Sequence, residues 1–141
     1  MATPTIYKLK GKNEEQVKAS FIHFMGDKEA TSKQIKNVEA SNYPRIGTNV
    51  IISPIVNEIY GVDNIYKLIE ADQIKPIDDR LTKLREDAET SKLQKEINNQ
   101  RSYVRKYIEF LNYCSSLENV QSKKNEYSFS SDTDKPFISE D

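Results

Sequence analysis

A chain of 141 residues has the length of one domain. It is 36% hydrophobic and 30% charged, with a mean hydropathy of −0.75, which is polar for a globular chain but compatible with folding if the polarity is concentrated in one segment. A net charge of −1 excludes a polycation acting through bulk charge, so any nucleic-acid contact must come from local patches.

The single cysteine, Cys114, leaves no internal disulfide and points to a reducing, cytoplasmic setting. No stretch approaches the roughly 18 consecutive apolar residues of a membrane helix. The first residues, MATPTIYKLKGK, lack the apolar core of a secretory signal, and no membrane partner is expected.

Thr5 to Lys10, TIYKLK, alternates in a way that allows a short edge strand closed by Gly11. A first helix is predicted from Asn13, where Asn13 and Gln16 have capping-box spacing and Glu14 and Glu15 suit the positive helix end. Val17, Phe21, Phe24 and Met25 form its inner face, and Gly26 stops it. Thr31 or Ser32 is expected to cap a second helix carrying Ile35 and Val38, which ends before Asn42-Tyr43-Pro44.

Arg45 to Asn49 reads as a loop. Val50-Ile51-Ile52 is either a buried strand or the entry to a helix. Ser53 as N-cap and Pro54 at the first helical position start a helix over Pro54 to Tyr60, ended by Gly61. Asn64 to Ile69, NIYKLI, is a second strand candidate. A further helix begins near Asp72, with Ile74, Ile77, Leu81 and Leu84 at helical spacing and Pro76 tolerated near its start. Thr90 to Ile97 joins it to the last helix as a further short helical piece.

That last helix, Asn98 to Leu117, is the most amphipathic stretch. Tyr103, Tyr107, Phe110, Leu111 and Cys114 share one face, widened by Val104 and Ile108. Arg101, Arg105, Lys106 and Glu109 fall largely on the other. Cys114 is therefore expected as a core thiol rather than a reactive one. Residues 120–141 have no periodicity and form an acidic, Ser-rich tail expected to be disordered, with Phe129 and Phe137 as candidate docking residues. The predicted architecture is thus a mainly α-helical bundle over residues 1–119. An α+β variant, with the two strand candidates paired as a small edge sheet, is the alternative.

Residues that carry chemistry are sparse. His23 is the only histidine, and no spacing assembles a metal site around it. Asp78-Asp79 and Glu86-Asp87 are neighbours on a helix and do not converge on one point. None of the four glycines precedes a P-loop Lys-Ser/Thr pair. No enzyme activity, metal or cofactor is expected.

Basic residues are the stronger signal. Arg101, Arg105 and Lys106 are predicted to share a polar helix face clear of acids and to contact phosphates. Lys33 and Lys36, at the expected start of the second helix, add a patch where backbone N–H groups favour an anion. Lys8, Lys10 and Lys12 form a third patch.

From Asn64 onward the order of features resembles a known family. Ile65-Tyr66-Lys67-Leu68, the helix Asp72 to Leu84, and Tyr103-Val104-Arg105-Lys106-Tyr107-Ile108-Glu109-Phe110-Leu111 follow in the order of a strand, a helix and a "KYIEFL" helix. Pro136-Phe137-Ile138-Ser139-Glu140 follows them. This pattern resembles the region between the DNA-recognition domain and the AAA+ motor of McrB-like modification-dependent restriction proteins. Helices of similar pattern also occur in HNH-nuclease relatives and in the core-binding domains of tyrosine recombinases.

The resemblance implies a non-enzymatic, DNA-associated recognition or scaffolding module of a restriction or mobile-element system, without GTPase or nuclease chemistry. The alternative expectation is a protein-interaction module, an adaptor or a phage-borne inhibitor, that binds a protein partner or a second copy through the tyrosine-rich helix and the tail. Burial of Tyr103, Tyr107 and Phe110 within one chain would leave the long helix only its basic face.

Overall fold

The computed structural model describes residues 5–126. Four α-helices carry the fold: α1 (Glu14–Gly26), α2 (Ile52–Tyr60), α3 (Ala71–Asp87) and α4 (Ser91–Glu126). Short 3₁₀ turns at Thr5–Tyr7, Val38–Ala40, Tyr43–Gly47 and Ile65–Lys67 connect them. The architecture is mainly α, as the sequence predicts.

Neither strand candidate forms a strand. At Asn64 the side-chain Oδ1 accepts the Tyr66 N–H at 2.9 Å, and the Asn64 carbonyl accepts the Lys67 N–H at 3.0 Å. This local bonding offers the backbone an alternative to a ladder. Ile65, Tyr66 and Leu68 still point inward, so the apolar pattern reported burial correctly and the secondary structure incorrectly.

The start of α1 is as expected. Asn13 caps Gln16, and Gln16 returns the bond to the Asn13 N–H, each at 2.9 Å. The start of α2 differs. Asn49 Oδ1 accepts the N–H groups of both Ile51 and Ile52, at 2.8 and 3.0 Å, so the helix begins ahead of Ser53 and Pro54 lies within its first turn. Gly61 ends it at φ +72°, a conformation glycine adopts without penalty.

Glu70 is the N-cap of α3, whose first residue, Ala71, lies one position before the predicted start at Asp72. Thr90 caps α4 by accepting the Leu93 N–H at 3.1 Å. The connecting piece at Thr90 to Ile97 is therefore the first part of α4 rather than a separate helix. At its other end α4 runs to Glu126, past the predicted tail boundary at 120. The rest of the predicted tail, with Phe129 and Phe137, lies outside the described residues.

The α3–α4 pair is an antiparallel hairpin. Asp78 faces Arg101 and Arg105, while Arg85 faces Asn98, which fixes the register. The other elements close over α4. Phe21 meets Tyr107 and Phe110 with ring centroids 5.2 and 5.4 Å apart, and Tyr66 meets Tyr107 at 5.4 Å. Two buried hydroxyls in this cluster are satisfied by backbone carbonyls. Tyr107 donates to Leu68 O at 2.7 Å, and Tyr66 donates to Pro44 O at 2.8 Å. Burial raises the pKa of both phenols.

The second helix predicted from Thr31 or Ser32 is absent. Residues 28–37 are turns and bends, and Asn37 adopts a left-handed conformation at φ 54°. The Ile35 N–H bonds Met25 O at 2.8 Å, and bonds from α4 hold the segment further along.

Candidate functional site

The long helix does not present the basic face expected of it. Tyr107 and Phe110 are buried, and Tyr103 is half-buried against Tyr43 with ring centroids 4.7 Å apart. Arg101 is only 13% exposed, and its Nε lies 3.4 Å from Asp78 Oδ1. Arg105, 58% exposed, reaches the other carboxylate oxygen at 3.3 Å. The face is therefore not clear of acids, because α3 delivers Asp78 between the two arginines.

Lys106 is 10% exposed. Its Nζ donates to Thr31 Oγ1, to Lys33 O at 2.9 Å and to Glu109 Oε1 at 3.1 Å, and lies 5.9 Å from the Phe24 ring centroid. Glu109 also accepts the Ser32 N–H at 2.7 Å and the Thr31 hydroxyl at 3.2 Å. Burial alone would raise the Glu109 carboxyl. The Ser32 N–H and the Lys106 ammonium outweigh it and hold the group below its usual range.

This node corrects the expected anion site at Lys33 and Lys36. There is no helix start there, and the Ser32 N–H is already taken by Glu109. The side chains of Lys33 and Lys36 are exposed. The Lys106 bond to the Lys33 carbonyl brings the second basic stretch beside the long helix. In the third patch, Lys8 and Lys10 are exposed, whereas Lys12 Nζ bonds Ile6 O at 3.1 Å and Ser20 Oγ at 3.3 Å.

Hollows interrupt the surface of the described residues. One, of about 750 Å³, lies beside His23, Asp27 and Glu39. Asp27 there accepts the Tyr7 hydroxyl at 3.0 Å and sits 4.0 Å from His23 Nε2, so its carboxylate anchors the N-terminal turn. Among the described residues no three His, Cys, Asp or Glu side chains converge as metal ligands would. A second hollow, of about 640 Å³, runs past Lys10, Cys114 and the N-terminus of α3. There the Gln73 side chain accepts the Glu70 N–H at 3.3 Å, and the Glu70 carbonyl accepts the Gln73 N–H at 2.9 Å.

The third hollow has a different character. It is a groove of about 470 Å³ between the start of α2 and the α3–α4 hairpin. Ile55 and Ile97 line it as buried side chains, and Val50, Leu84 and Leu93 line it while 83, 42 and 42% exposed. These three are the exposed large hydrophobic residues among those described, and all of them border this one groove. Glu58 and Arg80, paired with each other, and Asp87 stand at its rim.

Sequence reasoning missed this surface. Leu84 continues the Ile74, Ile77, Leu81 pattern and reads as core. At the hairpin end, however, Leu84 is 42% exposed, and residues 89–96 are all exposed. The available signal was the run Val50-Ile51-Ile52, one residue longer on its apolar side than the helix entry needs.

No described helix is long and apolar enough to cross a membrane. The chain matches no protein-family model, no curated protein and no solved structure.

Proposed function

We propose that the chain is a non-enzymatic protein-interaction module of a reducing, cytoplasmic setting, and that it docks a partner in the groove between α2 and the α3–α4 hairpin. The observation that carries this reading is the convergence of Val50, Leu84 and Leu93 on one groove. Isolated exposed apolar residues need no explanation, but a contiguous apolar concavity with a charged rim is the usual form of a binding surface. The tyrosine-rich face is consumed by the core, so docking through that helix face has less support than docking through the groove.

A photoreactive residue at Val50, in the full chain expressed in cells, should give a discrete cross-linked species. Leu93→Glu should abolish it while leaving stability within about 0.5 kcal/mol, as expected for an exposed position. Absence of a discrete adduct, or an adduct insensitive to Leu93→Glu, refutes the reading.

A second reading is a DNA-associated module related to the McrB-like region. It is supported by the exposed side chains of Lys33, Lys36 and Arg105, two of which lie on a loop bonded to α4. Replacing Lys33, Lys36 and Arg105 by alanine spares the buried Arg101 and Lys106. If all three contact phosphates, the log-log salt slope of duplex binding should fall by about 2 to 3. No binding at low salt refutes it.

A further inference from the structure

The irregular segment of residues 28–37 is fixed to α4 through one charged node. Glu109 Oε2 accepts the Ser32 N–H at 2.7 Å and the Thr31 hydroxyl at 3.2 Å, and Lys106 donates to Oε1 at 3.1 Å. The Ser32 hydroxyl is a further donor to this carboxylate. We propose that Ser32 is a phosphorylation site, and that a phosphoryl group there breaks the node and releases the segment from α4.

Access selects Ser32 among the hydroxyls. A kinase takes its substrate as exposed, non-helical chain, so the serines within α4 and the threonine within α3 are not offered to it. Outside the α-helices, the exposed hydroxyl residues among those described are Ser32, Thr48 and Thr90. Thr90 is used as a cap on α4, and Thr48 follows the buried Gly47. Thr31 shares the node but is 7% exposed. Ser32 heads a run of three exposed residues, and the exposed Lys28, Lys33 and Lys36 flank it. Glu29 is the one acid between Lys28 and Lys36. These flanks suit a serine kinase whose substrate cleft is acidic.

The transfer needs a nucleoside triphosphate and the kinase. Ser32 Oγ attacks the terminal phosphorus and forms the ester bond. The bond from that phosphorus to the bridging oxygen breaks, the diphosphate leaves, and the hydroxyl proton passes to the kinase's base. A donor to Glu109 is thereby replaced by a group of roughly −1.5 to −2 charge at pH 7.

The node cannot absorb that charge. A lysine ammonium has three N–H donors, and those of Lys106 are engaged by Thr31 Oγ1, Lys33 O and Glu109 Oε1. The phosphate can take one only by breaking a bond that ties the segment to α4. It also repels the Glu109 carboxylate, which loses the Ser32 hydroxyl. The exposed Lys33, next in sequence, pairs with the phosphate on the solvent side instead.

The test places phosphoserine at position 32 during synthesis of the full chain and follows amide hydrogen exchange. The Thr31 and Ile35 N–H groups bond Asp27 O and Met25 O, and their exchange should quicken by on the order of tenfold, the scale of a lost charge-assisted bond. In a Glu109→Gln background the same phosphoserine should change exchange by less than about twofold, because the interaction it breaks is already gone. Unchanged or slower exchange in the phosphorylated chain overturns the proposal. So does an undiminished effect in the Glu109→Gln background. If Ser32→Ala quickens exchange as much as phosphoserine, loss of the hydroxyl rather than the added charge is responsible, and the switch fails. Mass spectrometry of the full chain recovered from the cells that make it should find phosphate on Ser32. A Ser32 unmodified throughout growth overturns the assignment of the site.

Discussion

Replacing Gly47 by alanine should destabilise the fold through packing alone. Gly47 is buried at the end of the Tyr43–Gly47 turn and does not have a positive φ, so backbone strain is not involved. A Cβ there would lie 2.8 Å from Asn64 Oδ1, 2.8 Å from Tyr66 Cδ2 and 2.9 Å from Tyr66 Cε2. Neither neighbour can yield easily. Asn64 Oδ1 holds the Tyr66 N–H, and the Tyr66 ring is fixed by its bond to Pro44 O and by contact with Phe21 and Tyr107.

Overpacking of this kind costs about 1–3 kcal/mol. Loosening the Tyr66 hydroxyl bond adds about 1 kcal/mol, and the stiffer unfolded chain returns about 0.4–1 kcal/mol. The net expectation is a loss of roughly 1.5–3 kcal/mol, which lowers Tm by about 6–12 °C in a domain of this size. Gly26→Ala is the control. Its Cβ would meet only Val38 Cγ2, at 3.9 Å and in ordinary contact. Within a helix that change should be neutral or stabilising by up to ~0.5–1 kcal/mol. Thermal and guanidinium unfolding, with the m-value checked for constancy, measures both. Equal stabilities for the two variants would refute the steric account of Gly47.

Two pH dependences follow from the titrating groups. Glu109 is depressed on folding, so the native state binds fewer protons; its contribution is complete above about pH 4.5, the usual glutamate value, and is lost as pH falls through the folded value. Glu109→Gln should flatten the acid limb of the stability curve, and an unchanged slope would show that the node with Ser32 and Lys106 contributes nothing. Tyr66 and Tyr107 are raised on folding above the usual 10, so their contribution is present below pH 10 and is lost as pH rises beyond it. Their tyrosinate absorbance should therefore appear only together with loss of helical circular dichroism. Smooth titration of all eight tyrosines in a folded chain would contradict the burial of these two.

Much of the fold is legible in the sequence because it rests on signals a few residues long. The Asn13–Gln16 box, the Gly61 stop, and the spacing of Ile74, Ile77 and Leu81 specify α1, the end of α2 and the inner face of α3 by local sterics and periodicity. The repeat of Tyr107, Phe110, Leu111 and Cys114 likewise identifies the buried face of α4, and all four are buried.

Tertiary structure decided the rest, wherever a distant group outbid a local preference. Glu109 takes the Ser32 N–H and Lys106 the Lys33 carbonyl, from 77 and 73 positions away, and a predicted helix becomes a bonded loop. Asp78 turns Arg101 from a surface cation into a strut between α3 and α4. At the end of the hairpin no described element covers Leu84, which turns predicted core into exposed surface. Periodicity shows which residues share a face. It carries no information about how far the neighbouring element extends to cover that face, and here that extent separates core from candidate binding site.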